Sequence, residues 1–202
     1  MDTDPQKPFQ RQRTDVPLTL NPALVSALQQ ADLGLRREAV HLAKYSPHWE
    51  PAFNKVRAVL NASKPRNVQA IEHIGSTAVP GLDAKPIMDI AIGTAENADP
   101  DEIHTWLTRE GFLYRGETDA IRPDTMYGFE IEPHIRLVNV HVITYGDTAW
   151  EHYLSFRNHL RGNPSDREAY QELKELLVQQ NGSNRSTYLN GKTDFITLRR
   201  NR

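Results

Sequence analysis

The sequence predicts an α+β fold: a mixed β-sheet with a block of helices at its C-terminal end. Two apolar, β-branched runs, Val68–Ile74 and Ile87–Ile92, bracket a loop punctuated by Gly and Pro, as strands joined by a structured turn require. Further strand-like runs follow at Phe112–Tyr114, Met126–Glu132 and Leu137–Thr144. From Ala149 onward the apolar period becomes helical, so strands come first and helices afterwards.

Taken in order, residues 1 to about 20 are polar and Pro/Gln-rich and are expected to be disordered. Asn21-Pro22 pairs an N-cap with a proline at the first helical position and opens a short helix to about Gln30. Ala39–Ala43 is expected to be a strand. Ser46-Pro47 is a second cap signal, after which Trp49, Phe53, Val56 and Leu60 share one helical face fit to pack on a sheet. Asp99-Pro-Asp-Glu102 forms a capping box, Ile103, Trp106 and Leu107 a buried stripe, and Gly111 a C-terminal stop. In the C-terminal block Tyr153, Phe156 and Leu160 make one stripe and Tyr170, Leu173 and Leu177 another, with a last helix near Arg185.

At 202 residues the chain suits one domain with a decorated end. The 24 Lys+Arg and 26 Asp+Glu nearly cancel, so no global field draws it to nucleic acid or to anionic lipid. With no cysteine, disulfides, thiolate metal sites and a cysteine nucleophile are excluded. The start Met-Asp-Thr-Asp-Pro lacks a basic and an apolar region, and no apolar run approaches the roughly 20 residues that cross a bilayer. A cytoplasmic protein is the expectation.

The most informative stretch is His73-Ile-Gly-Ser-Thr-Ala-Val-Pro-Gly-Leu-Asp-Ala-Lys-Pro-Ile-Met-Asp89. Alternation puts Met88, Ile90 and Ile92 on one face of the second strand and Ile87, Asp89 and Ala91 on the other, leaving Asp89 a lone acid in an apolar run. A Gly-Ser turn followed thirteen residues after Ser76 by a strand aspartate resembles the polymerase-beta-type nucleotidyltransferase motif. The fuller string resembles the signature of the GrpB family, and the likeness extends through Tyr45–Trp49, Phe156–Arg161, Tyr170–Lys174 and Tyr188–Lys192. It covers roughly residues 38 to 200. Residues 1–37 are then an N-terminal extension, and 38–202 a domain expected to have a nucleotidyltransferase-like fold.

The resemblance assigns roles. Gly75, Ser76 and Thr77 are expected to hold phosphate through backbone N–H groups and hydroxyls, though Gly75-Ser76 also reads as a plain strand-ending turn. Asp89 is expected to bind Mg²⁺. Lys85, four residues before it, is expected to carry charge in catalysis or to pair with Asp89 and fix the loop. The superfamily usually has a second acid two residues beyond the first; Ala91 stands there, which puts two-metal catalysis in doubt. Glu130 and Glu132 are alternative carboxylates that also read as a solvated strand edge. His141 stands where the family has the second histidine of a His-x-His pair, with Asn139 in place of the first; it is expected to align or deprotonate the acceptor, or to be structural. His73 reads as closing its turn. No HExxH or other zinc spacing occurs. Arg157, Lys174 and Lys192 are expected to form a cationic wall for a triphosphate, against the alternative of solvated surface. Gly191-Lys-Thr193 is not a P-loop, since Ser186 occupies the first glycine position.

What the resemblance implies is a Mg²⁺-dependent nucleotidyltransferase that moves an NMP group from an NTP to a small-molecule acceptor, with neither nucleic acid nor membrane as partner. Two alternatives stand beside it. One is a non-catalytic nucleotide- or anion-binding module. The other is an accessory domain of coenzyme A metabolism, because the family domain occurs fused to dephospho-CoA kinase.

Overall fold

A computed structural model describes residues 19–37, 39–117, 124–181 and 185–200. The tail expected to be disordered lies almost wholly outside these residues. Asn21 accepts from Ala23 N–H at 2.9 Å and opens helix α1, Pro22–Leu28, with Pro22 in the first turn. A two-residue strand β1, Leu35–Arg36, comes next. The strand expected at Ala39–Ala43 does not form; only Ala43 makes a bridge, to Ala84 of the signature loop. Ala43 exchanges both backbone hydrogen bonds with Ala84, and residues 39–42 join no strand.

Helix α2, Trp49–Ser63, buries Trp49, Ala52, Phe53, Val56 and Leu60, the stripe its periodicity forecasts. Ser46 acts one step upstream of the helix, its hydroxyl accepting from His48 N–H at 3.2 Å. Strand β2 is Val68–Ile74, and β3 is Met88–Thr94. Helix α3, Pro100–Arg109, is capped by Asp99 and stopped by Gly111 at φ 94°, a conformation that a β-carbon disfavours. Strands β4, Leu113–Glu117, and β5, Thr125–Phe129, precede a short β6, Ile135–Arg136, and then β7, Val138–Thr144.

The main sheet has the order β2-β3-β7-β5-β4. β3 and β7 run parallel and the other neighbours antiparallel, so the sheet is mixed as expected. β1 and β6 form a separate two-stranded ribbon. The alternation read from the sequence holds. Met88, Ile90 and Ile92 enter the large core with α1, α2 and α3, while Ala91 packs on the opposite face with Ile74, Ile143 and Trp150.

The C-terminal block comprises α4, Thr148–Gly162, α5, Pro164–Asn181, α6, Arg185–Asn190, and α7, Thr193–Arg199. α4 starts at Asp147, which accepts from Trp150 N–H at 2.7 Å, and it seats Trp150 against the second sheet face. Leu160 and Tyr170 bury Val79 and Leu82, with Phe195 and Ile196 packed alongside. The block thereby holds the signature loop as well as the sheet. No helix among the described residues is long and apolar enough to cross a membrane.

Helix α1 belongs energetically to this core, because Leu24 is fully buried and Ala27, Leu28 and Ala31 lie in the same cluster. Leu24→Ala is therefore expected to destabilise the protein by about 2–5 kcal/mol. Urea unfolding measures this; a change below about 0.5 kcal/mol would mean α1 merely decorates the surface.

Candidate functional site

The site begins where β2 ends. Ile74 pairs in register with Asp89 across the antiparallel β2–β3 ladder, and the chain then turns at Gly75 with φ 69° into a 3₁₀ turn, Ser76–Ala78. A β-carbon on Gly75 would stand 2.5 Å from Asp89 Oδ2. Only glycine meets both demands, the positive φ and the close approach. Three groups hold the turn from behind. His73 Nε2 and Thr77 Oγ1 lie 3.0 Å apart, Arg161 Nε donates to Ala78 O at 2.8 Å, and Arg157 Nη1 donates to His73 O at 2.8 Å and Glu72 at 2.7 Å. His73 stacks on Phe53, with ring centroids 4.8 Å apart. Burial, helped by Arg161 and Arg157 against the pull of Asp89, brings its pKa down to about 3, so it stays neutral.

A cavity of about 140 Å³ opens above this turn, lined by Ser76, Thr77, Lys85, Asp89 and Asn139 together with Arg36, Arg37, Arg136, Tyr188 and Lys192 among others. Lys85 Nζ lies 4.2 Å and Lys192 Nζ 4.5 Å from the centroid of the Tyr188 ring, so one aromatic side chain positions two cations. Glu130 is buried beside the arginines and accepts from Arg37 Nε, Arg115 Nη2 and Arg136 Nε, each at 3.0 Å. The solvated-edge expectation thus fails for Glu130, whose burial is repaid by three guanidiniums; Glu132 is exposed.

Of the expected cationic wall, Lys192 reaches the cavity, whereas Arg157 and Lys174 do not line it. Arg157 is spent on Glu72 and the His73 carbonyl. Lys174 is buried, donates to the carbonyl of Asp83 and lies 5.1 Å from the centroid of the Tyr170 ring. Burial, with Lys192 close by, takes its pKa down to about 7. Both residues shape the signature loop: Arg157 at its start, Lys174 at its far end.

Asp89 stands at the centre of a relay. Asn139, its register partner on β7, donates from Nδ2 to Asp89 Oδ1 at 2.9 Å and accepts from Arg136 Nη1 at 2.9 Å. The Arg136 guanidinium lies over Gly128, where a β-carbon would come within 2.3 Å of it. His141 turns Nε2 toward Asp89 Oδ1 at 3.8 Å and Nδ1 toward Asp124 Oδ2 at 2.7 Å, and Tyr153 OH donates to the same Asp124 oxygen at 2.8 Å. Burial would drive the proton off His141, but hydrogen bonds and charge from Asp124 and Asp89 prevail and raise its pKa to about 9. Burial would likewise raise Asp89; His141, Asn139 and Lys192 outweigh it and hold Asp89 below the usual value. At neutral pH the centre is a carboxylate against an imidazolium. An imidazolium has no lone pair for an incoming proton, so aligning fits His141 better than deprotonating. Ala91, opposite His141 in register, is sealed in the apolar cluster and supplies no oxygen.

Sequence reasoning missed Asp124, Tyr153, Arg36, Arg37 and Arg136. Arg36 and Arg37 come near the site only once β1 pairs with β6, and Asp124 and Tyr153 only once β5 and α4 lie beside His141, whereas Arg136 reaches Asn139 three residues along the chain.

Fold and site together define a mixed-sheet α+β protein with a glycine-serine turn pressed on a strand aspartate in a basic cavity. The sequence model described as GrpB protein matches residues 39–202, and the chain belongs to the GrpB family. It is similar to the Glutamate-rich protein GrpB of Alkalihalophilus pseudofirmus, 28% identical over 81% of this chain and 95% of that protein. The crystal structure of the conserved protein GrpB from Enterococcus faecalis superposes with a TM-score of 0.69 at 30% identity, covering 80% of this chain and 95% of that one. A Dephospho-CoA kinase of Mycolicibacterium paratuberculosis is 25% identical over 72% of this chain and 41% of its own length.

Two outcomes check this geometry. Gly75→Ala adds the strain of a glycine-only backbone conformation, about 1–3 kcal/mol, to a clash with Asp89, and is expected to lower the melting temperature by several degrees. In protein free of divalent cations, the His141 imidazole is expected to titrate near pH 9 by NMR. Its pKa is raised on folding, so its contribution to stability is complete below about pH 6.5 and fades as pH climbs to about 9. Asp124→Asn is expected to move that titration downward; an unchanged value would disprove the pairing.

Proposed function

We propose that the cavity binds the phosphate chain of a nucleoside triphosphate and that the protein transfers the nucleotidyl group to a small-molecule acceptor. One observation carries this reading: Ser76, Thr77 and an ionised Asp89 share a cavity whose other charged lining residues, among the described residues, are cations. In the transfer an acceptor lone pair attacks the α-phosphorus, the bond to the bridging oxygen breaks with its electron pair going to the departing pyrophosphate, and the acceptor's proton passes to solvent. Lys85, Lys192 and the arginines oppose the charge that collects on the departing phosphates. Ser76 offers its hydroxyl to phosphate oxygens, and the His141 imidazolium holds Asp89 in place.

The donor set fits one Mg²⁺ and not two. Mg²⁺ takes one or two carboxylates together with substrate phosphates and waters, and Asp89 provides one ionised carboxylate facing the cavity. Among the described residues no group of three His, Cys, Asp or Glu side chains has an arrangement to hold a metal. Bound there, the ion would neutralise phosphate charge.

A second reading, a phosphate-binding module without turnover, is favoured by Ala91 and by the protonated His141. The kinase relative aligns over less than half of its own length and lends this chain no activity. Incubation with α-labelled NTPs, Mg²⁺ and a metabolite extract separates the two readings. Label transfer and pyrophosphate release are expected, and Asp89→Asn is expected to lower the rate about 10²-fold or more. Saturable binding with no pyrophosphate from any NTP would leave the module.

A further inference from the structure

The cations of the cavity come from separate parts of the chain. Lys85 belongs to the signature loop and Lys192 precedes α7, whereas Arg36, Arg37 and Arg136 come from the β1–β6 ribbon and its flank. The ribbon is pinned to the site by a backbone hydrogen bond from Gly34 N–H to Pro86 O at 2.8 Å, beside Lys85, and its own two strands are joined further by Arg37 N–H to His134 O at 3.0 Å. Arg37, Arg115 and Arg136 share the Glu130 carboxylate, which gathers their guanidiniums along this wall. Arg36 is exposed while lining the cavity, which puts it at the mouth. Arg36 and Arg37 also precede residue 39, where the family match begins.

We infer that the β1–β6 ribbon is a phosphate-reading wall, and that Arg36, from the segment ahead of the family match, binds one phosphate of a polyphosphate chain. This deepens the phosphate-binding reading and rests on it. Arginine suits the task because its planar fork meets two phosphate oxygens at once. Size sets what the wall reads. A cavity of about 140 Å³ is smaller than the roughly 300–1,000 Å³ of pockets that enclose a drug-sized ligand. It admits the phosphate chain and leaves the nucleoside toward solvent, so affinity follows phosphate number more than base.

Calorimetry at fixed Mg²⁺ tests this with orthophosphate, pyrophosphate, tripolyphosphate and the four NTPs. Affinity is expected to rise along the phosphate series and to agree within about threefold among the NTPs. Arg36→Ala is expected to weaken tripolyphosphate about tenfold and orthophosphate far less, with Arg36→Lys recovering part of the loss because it keeps the charge without the fork. Arg36 is exposed, so the variants should fold, which circular dichroism checks. Tripolyphosphate bound as tightly by Arg36→Ala as by wild type, or one NTP preferred more than about tenfold, overturns the inference. Failure of every phosphate compound to bind wild-type protein overturns the functional reading with it. Binding that loses affinity in Arg36→Ala without any nucleotidyl transfer upholds the ribbon and removes the transferase.

Discussion

A carboxylate in the middle of an apolar strand is costly unless its charge is met, and much of this structure is the meeting of Asp89. Desolvating a lone carboxylate costs several kcal/mol, which partners must offset. Asn139 donates to it, His141 faces it as a cation, and Gly75 gives up its side chain so the turn can lie against it. Each partner has a support of its own. Asn139 is held by Arg136, Arg136 by Glu130, and His141 by Asp124 with Tyr153. The charge therefore fixes the register of β2, β3 and β7 together, because a slip of one residue would turn Asp89 into the core of Met88, Ile90 and Ile92.

The same economy explains why the basic residues around the signature loop divide into two kinds. Arg157 and Lys174 are buried and spend their donors on backbone carbonyls at either end of the signature loop, at His73 and Asp83. Lys192 and Lys85 flank one tyrosine ring and line the cavity. Similar chemistry thus yields scaffolding in one pair and a ligand-facing surface in the other, and burial decides which. With a pKa brought to about 7, Lys174 puts less repulsion beside Lys192 than a surface lysine would.

Local signals were legible in the sequence because they act over a few residues. The Asn21 and Asp99 caps, the Gly111 stop, the α2 stripe and the two faces of β3 all follow from spacing alone. The strand expected at Ala39–Ala43 failed because apolar content says nothing of whether a partner edge lies alongside; the edge went to Leu35–Arg36 instead, paired with a segment about 100 residues away. The site shows the same division. The signature string brought out Gly75, Ser76, Thr77, Lys85 and Asp89, which the structure gathers around one turn and cavity. Asp124 and the ribbon arginines were illegible, since their relation to Asp89 exists only once the sheet is assembled.

Ala91 shows how one position settles the character of the centre. It sits in register with His141, two residues beyond Asp89 on the same face, and it is closed off by Ile74, Ile143 and Trp150. An acid there would be desolvated among apolar side chains and would add a third carboxylate around one imidazole already shared by Asp89 and Asp124. With alanine, the apolar cluster stays dry and the imidazolium balances the carboxylates beside it. The positive charge next to Asp89 is therefore built into the chain, on His141 in register with Ala91. A cavity organised this way sets fixed cations around a single ionised carboxylate.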